Sequence, residues 1–175
     1  MRNAFYNGAA PWFGIAAALI ALDQLVKWVV LDQATKAIVQ SALAPGERVP
    51  VIPFLDLVLV FNAGAAFSFL AGAPGWQTPL FAGFALVASV VVGVLIVRNP
   101  GKRLFCAALA LVLGGALGNL IDRLRIGCVV DFLDFHAAGW HWPAFNVADS
   151  AITLGAVALI LESFLKHESA DARRA

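Results

Sequence analysis

Two aspartates, Asp131 and Asp149, stand 18 residues apart in a chain that is otherwise poor in charge. Asp131 lies in "CVVDFLDF" and Asp149 in "FNVADS". Between them, "HAAG" can turn the chain back into "WHWPAF" as a hairpin, so the two ends of the stretch can meet. Two carboxyl groups held close in a partly dry site do not both ionise easily. One keeps a proton and the other stays charged. The charged member can take a proton from water, and the protonated member can donate to a carbonyl oxygen as negative charge builds there. That is aspartic-protease chemistry, which needs no metal, no cofactor and no activated serine.

Other polar residues have plainer readings that compete with chemistry. Asn146 with an acid three residues later resembles a capping box, and a negative charge suits a helix start. Asp23 and Lys27 are spaced four apart, the favourable order for a helical ion pair. Asp122 and Arg123 read as interfacial charge. Asp134 alternates to the opposite face of its strand from Asp131 and reads as solvated. Gly114 and Gly118 have the small-xxx-small spacing of packed membrane helices. Cys106 and Cys128 form neither a CxxC pair nor a metal spacing.

These residues need elements to position them. The chain has 175 residues, 61% hydrophobic and 13% charged. A soluble domain averages about 45–50% apolar and about 25% charged. An integral membrane protein follows, with 1–175 as one membrane domain. A net charge of +1 offers no basis for nucleic-acid binding. A crossing takes about 20 residues. Four segments qualify, near 12–31, 78–97, 104–121 and 147–165. Arg2 before an apolar run imitates a signal peptide, but Asp23, Lys27 and the length of the run mark a retained helix. The segments 32–77 and 124–146 are β-rich: "FLDLVLVF" alternates, as does "CVVDFLDF". The expected fold is mainly α, a four-transmembrane-helix bundle with a small extracytoplasmic β-sheet.

Basic residues set the orientation. Arg2, Arg98, Lys102, Arg103, Lys166, Arg173 and Arg174 fall on one side, against Lys36, Arg48, Arg123 and Arg125 on the other, seven to four. The positive-inside rule puts both termini in the cytoplasm. Trp28, Trp76, Trp140 and Trp142 then sit near the outer interface and read as membrane anchors. Asp23, Lys27, Asn62, Asn119, Asp122, Arg123, Asp131, Asn146 and Asp149 all fall near that same depth. A transporter using Asp23 and Lys27 would instead spread polar residues along its length. A zinc hydrolase using His136, His141 and Asp131 lacks any HExxH spacing. A serine protease using Ser68 or Ser150 lacks GxSxG.

Five stretches, "DQLVK", "FNAGAAFS", "GNLIDR", "VVDF" and "FNVADS", occur in an order that resembles the lipoprotein signal peptidases (signal peptidase II) of bacteria. The resemblance covers the whole chain. It implies an aspartyl endopeptidase of the inner membrane that cuts diacylglyceryl-modified prolipoproteins just before the lipidated cysteine. It implies Asp131 and Asp149 as the catalytic pair. Asn62, Asn119, Arg123 and Asn146 would line the site, and Asp23, Lys27 and Asp122 would hold it together. It also implies lipid-modified signal peptides, membrane lipid and globomycin-type cyclic peptides as partners, and no cofactor or metal. Nothing in the sequence demands more than a monomer.

Overall fold

A computed structural model describes the backbone of residues 2–31, 48–64, 70 and 72–171, and the side chains within 8–31, 48–64, 70 and 72–165. Lys36, Ser68, Arg173 and Arg174 lie outside the described residues, as do the side chains of Arg2 and Lys166. The chain runs α1 (Arg2–Leu31), β1 (Val49–Ile52), β2 (Leu55–Asn62), α2 (Gln77–Arg98), α3 (Arg103–Ile126), β3 (Val129–Ala137), β4 (Trp140–His141) and α4 (Val147–Asp171). Four stretches, Gly8–Leu31, Gln77–Arg98, Arg103–Ile126 and Val147–Leu165, are long and apolar enough to cross a membrane.

Burial separates the helices by role. Helix α3 has 56% of its apolar window buried, against 17%, 11% and 17% in α1, α2 and α4. The outer three therefore turn Leu25, Phe84, Val87, Val90, Leu154, Ile160 and Phe164 outward. Such apolar surface suits lipid, where all backbone polar groups must be satisfied within the helix. Helix α3 is the axis on which the others pack. Glycine makes the approach close. A β-carbon on Gly114 would lie 2.7 Å from Leu19 Cδ2 of α1, and one on Gly155 would lie 2.7 Å from the Ala108 carbonyl of α3. On Gly115 it would run into the Ala148 carbonyl at the start of α4.

Helix α3 continues past Ile121 to Ile126, so Asp122, Arg123 and Arg125 are helical and the β-rich segment begins at Val129 rather than at 124. An apolar window closes too early here, because the polar residues of this last turn find partners inside the protein. Gly127 ends the helix in the left-handed conformation (φ 78°), with its N–H bonded to Arg123 O at 3.1 Å. Helix α1 likewise begins before Trp12, at Arg2.

The strands form one antiparallel sheet in the order β1-β2-β3-β4. Val60 lies opposite Asp131 and Asp56 opposite Asp134, with a bulge between Leu57 and Val60. The β3–β4 hairpin turns on Ala138 (φ 50°) and Gly139 (φ 80°), the two positive angles that a tight hairpin requires. At the far end of the bundle, Trp12 Nε1 donates to Pro100 O at 3.2 Å. The early turns of α1 and the α2–α3 connection therefore share one end, and the sheet sits at the other. Trp28, Trp76, Trp140 and Trp142 are exposed at the sheet end.

Replacing Gly115 by alanine is expected to destabilise the bundle by about 1–3 kcal/mol through overpacking. Gly83, with nothing within 4 Å of a β-carbon, should accept alanine without loss. Thermal unfolding of the two variants in detergent checks the difference.

Candidate active site

Three turns of chain converge at the sheet end of α3. Gly127 halts α3, and two residues later β3 begins. The Asp122 carboxylate accepts from Val130 N–H at 3.2 Å, which pins the start of β3 to the helix that precedes it. Asp131 follows at once. Phe145 is tied back to β3: its carbonyl accepts from Phe132 and Leu133 N–H, and its own N–H donates to Leu133 O. Asn146 therefore arrives beside Asp131, and α4 starts there.

The start of α4 is a capping box. Asp149 N–H donates to Asn146 Oδ1 at 2.9 Å, and Asn146 N–H donates to Asp149 Oδ2 at 3.3 Å. Capping and site formation are thus one arrangement, since the same two side chains also face β3 and α3. Asn146 Nδ2 lies 2.8 Å from Asp131 Oδ1, 3.1 Å from Val130 O and 3.2 Å from Asn119 Oδ1. Asn119 Nδ2 donates to Asp149 Oδ1 at 2.7 Å. A continuous chain of amides therefore joins the two carboxyl groups. Asn62, the last residue of β2, donates to Asp131 Oδ2 at 3.1 Å from the other side.

Beneath the amides lies a buried ion cluster. Lys27 Nζ is 2.9 Å from Asp23 Oδ2, 2.7 Å from Asp122 Oδ2 and 3.0 Å from Asn119 Oδ1. All of these residues are buried. By donating to Asn119 Oδ1, Lys27 fixes which way that amide points and so presents its N–H groups to Asp149. Asp23 Oδ1 in turn accepts from Ala148 N–H at 2.9 Å, satisfying another open donor at the start of α4. Gln24 was not singled out by the sequence, although it lies inside "DQLVK". Its Nε2 donates to Asp122 Oδ1 at 2.9 Å and to Gly118 O at 3.1 Å. Gly118 serves this cluster as well as helix packing: a β-carbon there would lie 2.8 Å from Asp23 Oδ2.

Arg123 stands at the edge of the site. Its Nη2 donates to Gly64 O at 2.9 Å and its Nη1 to Asn119 O at 3.4 Å, and the guanidinium lies 5.7 Å from the Phe81 ring centre. Its Nε has no hydrogen-bond partner among the described residues. Asp149, Asp131 and Asp122 are the carboxylates whose charge reaches the guanidinium.

Electrostatics act strongly on Asp131. Burial, and then the neighbouring charge of Asp149, push its carboxyl up from the ordinary 3.8 to about 7. Hydrogen bonds from Asn62 and Asn146 and the charge of Lys27 oppose that rise without cancelling it. At neutral pH this carboxyl can therefore hold a proton.

Asp134 is a correction. It is buried rather than solvated, with Arg48 Nε at 2.6 Å and His141 Nδ1 at 2.9 Å. Burial works against its charge, but hydrogen bonds from Arg48 and His141 outweigh it and hold the carboxyl below its ordinary value. His136 Nε2 lies 3.1 Å from Asp56 Oδ1, and its ring stacks on His141 with centres 5.0 Å apart. His136 shares the Asp134 face of β3, so neither histidine is brought to Asp131. Strand parity identified the face correctly, but not that Arg48 and the β4 hairpin would cover it.

The family model for signal peptidase (SPase) II matches residues 15–165 of this chain. The lipoprotein signal peptidase of Paraburkholderia phytofirmans is 54% identical over 157 residues, covering 89% of this chain and 86% of the relative. That of Ralstonia nicotianae is 52% identical over 156 residues, covering 89% and 85%. Among solved structures, a bacterial membrane enzyme determined by the in meso method at 2.3 Å resolution superposes with a TM-score of 0.70 at 30% identity. The superposition covers 91% of this chain and 90% of that one.

Replacing Lys27 by methionine leaves Asp23 and Asp122 as uncompensated buried charges and is expected to cost about 3–5 kcal/mol. Adding Asp122→Asn should recover part of that loss. Unfolding of the single and double variants in detergent measures both.

Proposed function

We propose a mechanism from one premise: the chain belongs to the signal peptidase II family. It is accordingly a multi-pass membrane peptidase acting on lipoprotein substrates. Our finer reading is an aspartic endopeptidase that cleaves diacylglyceryl-modified prolipoproteins immediately before the lipidated cysteine. Asp131 and Asp149 are its catalytic residues. The observation that carries this reading is the amide chain through Asn146 and Asn119, which holds two buried carboxyl groups in one hydrogen-bonded unit.

In this mechanism Asp131 holds the proton and Asp149 the negative charge, at the positive end of α4. A water between them gives a proton to Asp149 as its oxygen attacks the scissile carbonyl carbon. Asp131 donates its proton to the carbonyl oxygen. The tetrahedral diol then collapses. Asp149 passes its proton to the leaving cysteine nitrogen, the C–N bond breaks, and a diol hydroxyl returns a proton to Asp131. Both carboxyl groups end as they began, and no other reactant is consumed.

The remaining residues orient these two. Asn62 holds Asp131 from β2, Asn119 and Asn146 bridge the pair, and Lys27, Asp23 and Asp122 anchor the bridge. Arg123 offers its guanidinium to a peptide carbonyl or to the substrate's lipid ester oxygens. Substrate acyl chains stay in the bilayer while the scissile bond is held at the interface, where the sheet meets α3 and α4. The basic residues of the α2–α3 connection support a cytoplasmic location for that end, with the site on the outer face of the inner membrane. Globomycin-type cyclic peptides would occupy the same cleft, and the chain would work as a monomer.

Asp131→Asn and Asp149→Asn should each abolish cleavage of a lipidated substrate in detergent while circular dichroism stays unchanged. Retained turnover in both single variants excludes the pair. The pH profile gives a second test. Raising the pH through about 7 strips the proton from Asp131, so kcat/KM should fall on the alkaline side of neutrality. Because the two carboxyl groups titrate together, the limb reports the pair rather than Asp131 alone. A profile flat from pH 6 to 9 would contradict the assignment.

A further inference from the structure

We propose that the groove between α1 and α2, at the end of the bundle remote from the sheet, binds an anionic phospholipid. The groove measures about 350 Å³; Phe13, Val90, Gly93, Val94 and Val97 line it, and Arg98 stands at its mouth. Apart from Arg98, its walls among the described residues offer an acyl chain apolar surface and no uncommitted hydroxyl. The one hydroxyl there, Ser89 Oγ, is bonded back to Ala85 O at 2.7 Å within its own helix. Gly93 creates the space, since a β-carbon on it would lie 3.8 Å from the Phe13 ring, an ordinary contact.

The headgroup end is defined by charge. Arg98 closes α2, and Lys102 and Arg103 follow across a short connection; all three are exposed. Among the described residues no carboxylate pairs with any of them. Lys102 Nζ donates to Asn99 Oδ1 at 2.7 Å and lies 5.7 Å from the Phe105 ring centre. A guanidinium at the end of an apolar slot, with two further cations a few residues on in the chain, complements a phosphodiester with its acyl chain attached. The same charge argues against a signal peptide as the occupant, because the leading region of such a peptide is itself basic. The site is independent of Asp131 and Asp149 and rests on the four crossings alone.

The test uses the full chain in phosphatidylcholine nanodiscs containing a minor share of phosphatidylglycerol with matched acyl chains. Lipid retained after transfer to non-ionic detergent is counted by native mass spectrometry. Wild-type protein should retain phosphatidylglycerol about fivefold above its share. Arg98→Gln should erase that enrichment. Gly93→Leu should reduce retained lipid of both kinds, with the helical signal unchanged. No enrichment in the wild type, or full enrichment in Arg98→Gln, overturns the proposal; so does unchanged retention in a folded Gly93→Leu. Peptidase turnover in detergent should be the same in all three proteins, which separates this site from the reaction.

Discussion

A lysine ammonium buried between two carboxylates is the constraint around which this bundle is arranged. Isolated charges in such surroundings cost several kcal/mol each, and attraction offsets that only when every remaining donor and acceptor is engaged. Lys27 meets the condition with Asp23, Asp122 and Asn119, and each partner passes the constraint outward. Asp23 caps the start of α4, Asp122 pins the start of β3, and Asn119 orients toward Asp149. Helix α1 is thereby locked to the two elements that carry Asp131 and Asp149. Glycines 114, 115 and 118 permit the approach that this locking requires.

Above the ion cluster, two asparagines do what charged residues could not. An amide donates through nitrogen and accepts through oxygen, so Asn119 and Asn146 link Asp131 to Asp149 without adding charge. A lysine in either place would put a positive charge beside both carboxyl groups and favour their ionised forms. Burial and mutual repulsion are left to push the Asp131 carboxyl toward neutrality. The sheet supplies the far side: β2 ends in Asn62, and its register with β3 places that amide on Asp131.

Much of this was legible in the chain. The apolar runs announced four crossings, and the alternation in "LDLVLV" and "VVDFLDF" announced strands. The bland reading of Asn146 and Asp149 as a capping box and the chemical reading of Asp149 were set against each other. The structure shows the capping box, and the same two side chains also reach Asp131 and Asn119. What stayed hidden depends on partners distant in sequence. Asp134 is covered by Arg48, 86 residues away, and strand parity carries no information about what lies over a face. Gln24 joins Asp122 and Gly118 across helices, with no signal beyond its place next to Asp23. Gly118 read as a packing residue because its spacing says nothing about the carboxylate it faces.

The central claim is that Asp131 and Asp149 activate a water molecule directly, with no covalent link to the substrate. A single turnover with excess enzyme in ¹⁸O-water, followed by mass spectrometry of the released signal peptide and of the digested enzyme, addresses it. The account predicts one ¹⁸O atom in the new peptide carboxylate and none in either aspartate. Heavy oxygen in Asp131 or Asp149, or a released peptide without it, would contradict the account.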